Sequence, residues 1–167
     1  MINRIYVASS WRNTRQPAVV SALRLEGYEV YDFRNPTAGS HGFAWSEIDA
    51  NWRSWSPLQF SSLVTRHPAA ARGFAFDKAA LDWCDTCVLV LPSGRSAHLE
   101  AGYAAGQGKR VVVLLADEGF EPELMYLLCD SLCHSIGDVI YYLRTSRPHC
   151  TVTSGWDSVG GTIAARD

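Results

Sequence analysis

Residues 87 to 116 read CVLVLPSGRSAHLEAGYAAGQGKRVVVLLA, and their pattern sets the architecture of the chain. An apolar, β-branched run ends in Pro92-Ser93-Gly94-Arg95-Ser96. An Ala- and Gly-rich stretch carrying Glu100 follows, and a second apolar run begins after Lys109. Neither run alternates, which predicts strands buried on both faces of a parallel sheet; the small residues between them predict a closely packed crossover helix. In such a sheet, ligands bind outside the carboxyl ends of the strands. The loop Ser93 to Ser96 is therefore expected at a ligand site, with Glu100 one turn into the helix.

Toward the N-terminus, residues 4 to 8 read as a first strand and Ser9-Ser10-Trp11-Arg12-Asn13 as its loop. Asn13 is the expected N-cap of a helix running to about Leu25, with Val19, Val20 and Leu23 inward and Gly27 as its stop. Tyr28 to Phe33 form a second strand. Residues 34 to 72 then break the rhythm and read as an insertion. In it, Trp45, Ile48, Trp52 and Trp55 recur at helical spacing and predict one apolar face; Ser56-Pro57 starts a short helix bearing Phe60, Leu63 and Val64. This face serves either as core or subunit interface, or as a lid that stacks on a planar ligand.

A helix is expected from Phe74 to Asp85, with Phe76, Ala80 and Trp83 inward and Asp77 near its start. Beyond the opening stretch, Glu121-Pro122-Glu123 predicts a helix through Cys129, and a fifth strand falls around Leu132-Cys133. Ser135 with Asp138 resembles a capping box and opens a last helix to about Leu143. The Ser-, Thr- and Gly-rich tail, residues 145 to 167, is expected to be loosely ordered, leaving one domain over residues 1 to 144. The fold class expected is α/β: a flavodoxin-like, doubly wound, five-stranded parallel sheet in order 2-1-3-4-5, with an aromatic-rich helical insertion after strand 2. Its switch point, between the first and third strands, brings the Ser9 to Arg12 loop beside the Ser93 to Ser96 loop.

The formal net charge is -2 and no basic block occurs, so binding to nucleic-acid backbone has little electrostatic support. A small-molecule ligand is the better reading. Arg4 leads straight into an apolar strand without a secretory h-region, and no apolar stretch reaches the roughly 20 residues needed to span a bilayer. A cytoplasmic location without membrane contact is expected. Of five cysteines, Cys84 and Cys87 have CxxC spacing, and Cys129, Cys133 and His134 imitate the second half of a zinc site. Cys87 begins a buried strand and Cys129 lies on an apolar face, so these read as reduced, buried thiols. No metal or cofactor is expected.

At the loop, Gly94 lets a ligand approach the backbone, Ser93 and Ser96 offer hydroxyls, and the following helix offers unpaired N–H groups. That is a phosphate or sugar-hydroxyl site, although the spacing is neither GxGxxG nor that of a P-loop. Arg95 is either a phosphate ligand or a solvated surface residue. Glu100 is a lone carboxylate in an apolar helix. It either complements the helix dipole or acts as a nucleophile on an anomeric carbon. Asp77 is a second carboxylate on the same rim, with the same dipole alternative. The histidines show no partner pattern, and Ser96 and His98 diverge on a helix and make no triad.

The run Ser93 to Gly102, with Glu100 two residues before Gly102, followed by Gly108-Lys109 and an apolar strand, resembles the nucleoside 2-deoxyribosyltransferase superfamily, which includes nucleotide N-glycoside hydrolases. The resemblance implies that Glu100 is the nucleophile and that Asp77 contacts base or sugar. The first strand and its loop, with Tyr6, Ser9, Ser10 and Arg12, would help bind the ligand. The transferases often carry Asp just ahead of the loop glycine, where this chain has Ser93; that acid-free loop with Arg95 suits a 5′-phosphate. The activity implied is cleavage of the N-glycosidic bond of a nucleoside or nucleoside monophosphate, by hydrolysis or (deoxy)ribosyl transfer, in a homodimer or larger homo-oligomer. A nucleotide-sensing module without turnover and an NAD-cleaving glycohydrolase are the alternatives.

Overall fold

The non-alternating runs form the middle of a single sheet: Arg4–Ala8 (β1), Thr86–Val90 (β3) and Arg110–Leu114 (β4), with every residue of β3 and β4 buried. Glu29–Tyr31 (β2) and Ser131–Cys133 (β5) are the short edges. All pairings are parallel, in order β2-β1-β3-β4-β5, as expected. The computed structural model describes residues 4–116 and 120–146; most of the tail lies outside these. Among the described residues, no helix is long and apolar enough to cross a membrane.

Side-chain alternation along β1 splits the core into two layers. Ile5 and Val7 pack with Val19, Val20 and Leu23 of Gln16–Leu25 (α1) and with Val139 and Leu143 of Ile136–Thr145 (α5). Tyr6 and Ala8 face the other layer, with Ala80 and Leu81 of Pro68–Trp83 (α3) and Ala97, Ala101 and Ala104 of Arg95–Gly106 (α4). The small α4 residues let that helix lie close over β3. Tyr6 thereby ends up beneath the crevice between α3 and α4.

Three helix boundaries depart from expectation. Helix α1 starts at Gln16, and Asn13 does not cap it. Its amide instead donates to the carbonyls of Val90 and Pro92, each at 3.1 Å, while its Oδ1 accepts from the Arg15 N–H at 2.8 Å. Helix α3 starts at Pro68, six residues earlier than expected, because a His67 ring nitrogen accepts from the Ala69 N–H and Pro68 presets the first turn. Gly73 sits inside α3 because Phe43 lies on it: a Cβ there would come 2.7 Å from the Phe43 Cβ. Asp77 is thus past the middle of α3 and away from its start, and Phe76 is exposed. Residues 124–128 form a 3₁₀ segment, capped by Glu123, in place of the α-helix expected from Glu121.

The insertion contains Pro57–Val64 (α2), capped by Ser56 as expected. Its tryptophans lie on two 3₁₀ turns, Trp45–Glu47 and Trp52–Ser54, and not on one helix. Asp49 breaks the helical path by accepting from the Asn51 N–H at 2.8 Å and from the Trp55 indole at 2.6 Å. The rings still cluster, Trp45 meeting Phe43, Trp55 and Phe60 edge-on at 4.9, 5.9 and 5.7 Å. Ser135 and Asp138 cap α5 reciprocally, as expected.

Candidate active site

The loops after β1 and β3 meet at the switch point. Ser9 Oγ donates to the Val90 carbonyl at 2.9 Å beside the Asn13 bonds, and Arg15 Nη1 donates to the Leu115 carbonyl at 2.9 Å. One Arg34 Nη2 serves the carbonyls of Ser10, Trp11 and Asn13 at 3.2, 2.9 and 2.9 Å. Ser10 Oγ accepts from the Arg12 N–H at 3.2 Å, and Arg12 is exposed. The hydroxyls of Ser9 and Ser10 therefore shape the rim. Asn13, Arg15 and Arg34, which do that work with them, carry no motif in the sequence.

Gly94 is the N-cap of α4 and makes no side-chain cap bond; a Cβ there would meet nothing. The first-turn N–H groups are thus accessible beside exposed Arg95 and Ser96, an arrangement suited to an anion. His98, for which the sequence shows no partner pattern, braces this loop. Its Nδ1 lies 2.9 Å from the Gly94 carbonyl and 3.4 Å from Ser93 Oγ, and its Nε2 lies 2.9 Å from the Tyr126 hydroxyl. Because the Gly94 carbonyl can only accept, Nδ1–H donates to it, and in the neutral ring Nε2 accepts from the Tyr126 hydroxyl. A cavity of about 760 Å³ opens on this side of α4, lined by Leu91, Arg95, His98, Met125 and Tyr126 among others. Neither carboxylate lines it.

The carboxylates lie on the opposite side of α4. Tyr6 is fully buried and stacks on Tyr31, its partner in register on β2, with centroids 5.2 Å apart and planes 19° from parallel. The Tyr31 hydroxyl donates to Asp77 Oδ1 at 2.9 Å. Glu100 is half-buried and lies beyond the first turn of α4, so the dipole reading loses its geometry for Glu100 and Asp77 alike. Burial, reinforced by the charge of Asp77, pushes the Glu100 carboxyl up to about 7, while Tyr6 opposes the shift. The Tyr6 hydroxyl makes no hydrogen bond of good geometry, so its pull on Glu100 is through proximity. Burial also raises Asp77, against the Tyr31 hydrogen bond. Both phenols are driven up by burial and by the two carboxylates and stay neutral, so Tyr31 keeps the proton it donates to Asp77.

A hollow of about 40 Å³ beside Asp77 is walled by Tyr31, Phe33, Phe43 and Phe76, with Arg72 and Glu47 at its rim. It is much the smaller of the two spaces, and of the two carboxyls only Asp77, raised by burial, lines it. The sequence did not single out Tyr31; its signal is the β1–β2 register, which sets it beside Tyr6. Among the described residues, no group of three His, Cys, Asp or Glu side chains is placed to hold a metal ion. Cys84, Cys87 and Cys133 are buried free thiols and Cys129 is half-buried.

Fold and site together define a doubly wound α/β protein with two half-buried carboxyls at its switch point. No protein-family model matches the chain, and no curated protein sequence does. Solved structures do. A conserved protein from Enterococcus faecalis V583 is similar at 14% identity and a TM-score of 0.55, over 86% of this chain and 98% of that one. The Clostridium botulinum CMP N-glycosidase BcmB is similar at 16% identity and a TM-score of 0.46, over 84% of this chain and 98% of that one. The likeness to the Enterococcus faecalis protein, at that identity, shows the fold alone.

Proposed function

We propose that the protein cleaves the N-glycosidic bond of a nucleoside or nucleoside monophosphate, with Glu100 as nucleophile and Asp77 as the group that orients or protonates the departing base. The observation that carries this reading is that two half-buried carboxyls from different helices, Asp77 of α3 and Glu100 of α4, share the stacked Tyr6–Tyr31 pair as neighbours, close enough for the charge of Asp77 to raise Glu100. A Glu100 oxygen attacks C1′, the C1′–N bond breaks, and the base leaves with a proton from Asp77. Water or a second base, giving up a proton to the Asp77 carboxylate, then attacks C1′; the C1′–O bond to Glu100 breaks and frees its carboxylate. The roles require the proton of the pair on Asp77. In the free protein burial favours it on Glu100, so substrate must reverse that balance, and electron-deficient C1′ facing Glu100 acts in that direction.

The accessible N-terminus of α4 with Ser93, Arg95 and Ser96 supports a 5′-phosphate on the substrate. Incubating the protein with a panel of nucleosides, nucleoside monophosphates and NAD, and measuring free base, tests the reading. Base release that Glu100→Ala leaves undiminished refutes the mechanism. Tight binding without release makes the protein a sensing module, and release of nicotinamide alone makes it an NAD glycohydrolase.

A further inference from the structure

We infer that Tyr31 is a positioning residue for the reaction, fixing the Asp77 carboxyl so that its proton is carried on Oδ2. The inference rests on the functional reading above. Asp77 Oδ1 accepts the Tyr31 proton at 2.9 Å, and no other described residue hydrogen-bonds the carboxyl. An oxygen already accepting from a phenol is the poorer site for a second proton, so a neutral Asp77 is protonated on Oδ2. Tyr31 is itself held: its ring stacks on fully buried Tyr6, and its backbone lies in register with Tyr6 across the β1–β2 pair. The donor is thus fixed to the central sheet, while Asp77 is carried by α3. Around Asp77 stand Tyr31 from β2, Tyr6 from β1 and Glu100 from α4, with Arg72 of α3 and Glu47 of the insertion at the rim of the adjoining hollow. Arg72 and Glu47 face each other at 3.4 Å and are largely solvated, which leaves Tyr31 as the hydrogen-bonded partner that sets the carboxyl.

The substitution Tyr31→Phe removes the hydroxyl and keeps the stacked ring. Two measurements are needed on the full chain, after circular dichroism shows that the fold persists. The first is the titration of the Asp77 carboxyl by ¹³C NMR, assigned with Asp77→Asn; it needs no substrate. Because the Tyr31 bond holds Asp77 down, its midpoint is expected to rise in Tyr31→Phe. The second is base release, where kcat is expected to fall roughly 10- to 100-fold with KM little changed, the alkaline limb moving to higher pH. An unmoved Asp77 titration overturns the hydrogen-bond assignment. A moved titration with unchanged kcat and pH profile overturns the role in the reaction. A wild-type protein that releases no base overturns the functional reading, and with it the positioning role, while the titration still decides the Tyr31–Asp77 bond.

Discussion

The negative charge of Asp77, on α3, raises the pKa of Glu100, on α4, on top of the larger effect of burial, and the Glu100 carboxyl ionises near 7. The proposed roles need one proton on the pair, and in the free protein that proton is lost near 7, so kcat/KM is expected to fall as pH rises through about 7. Asp77→Asn deletes the nearby charge and leaves the burial. With the proton donor gone, the residual activity needs only an ionised Glu100, so it is expected to rise with pH through a limb below 7, though still above an ordinary glutamate. A limb at 7 in that variant would disconnect the two groups.

The same shift makes a prediction about stability. The Glu100 pKa is higher folded than unfolded, so its contribution is fully present below about 4.5 and is lost as pH rises through about 7. Above that window the folded chain carries an ionised carboxylate in a crevice that disfavours it. Glu100→Gln is therefore expected to stabilise the protein at pH 8, by at most about 3 kcal/mol, and to gain nothing at pH 4. Thermal denaturation at both pH values measures the difference; a gain independent of pH would trace it to packing.

Arg95 tests the phosphate reading. It is exposed at the uncapped start of α4, so its removal disturbs no core contact. Arg95→Ala is expected to raise KM for nucleoside monophosphates roughly 10- to 100-fold, the range of one charge-assisted hydrogen bond. For the corresponding nucleosides KM should not change. Equal effects on both would remove the phosphate from this loop.

Residues whose role is set by chain-local chemistry were legible in the sequence. Apolar runs without alternation marked β3 and β4, the repeated strand–helix pattern implied the strand order, and Ser56 and Ser135 announced the helices they cap. Glu100 stood out as a lone carboxylate in an apolar helix, whereas Asp77 reads as a carboxylate near a helix start, a premise that the earlier start of α3 removes. Tyr31 and His98 did not stand out, because their partners lie 46 and 28 positions away and become neighbours only through register and helix packing. The start of α3 was obscured by Gly73, which tolerates a helix interior there because Phe43 needs the space. The tryptophans kept helical spacing without a helix, since Asp49 offers the backbone a competing bond.

Gly42 holds the insertion against the rim. Its φ is +67°, and a Cβ would come 2.2 Å from the Phe33 carbonyl oxygen and 3.0 Å from the Trp11 ring. Backbone cannot yield as a flexible side chain does, so Gly42→Ala combines a left-handed penalty of about 1–2 kcal/mol with displacement of the segment. A drop in melting temperature of several degrees is expected. Because Gly42 and Phe43 line the hollow beside Asp77, KM for any productive substrate should also rise. A variant with wild-type melting and KM would show that the segment is free to move away from the site.

Oligomerisation is the last expectation to test. Among the exposed apolar side chains of the described residues are Leu58 and Phe60 on α2, and a second set of Leu99 of α4, Met125 and Leu128, which line the large cavity, with Leu124 and Leu127 of the same 3₁₀ segment. The second is the larger and more exposed, with Leu127 at 83% and Leu99 at 75%. Apolar groups clustered in this way mark an interaction surface. Sedimentation at micromolar concentration is expected to show at least a homodimer. Leu127→Asp with Leu128→Asp should dissociate it if the α4 side forms the contact, and Leu58→Asp with Phe60→Ser should do so if the insertion does. A wild-type monomer at that concentration would rule out the dimer. Dissociation by the first pair alone would place the contact beside the Ser93 to Ser96 loop and leave the insertion to the carboxylate crevice.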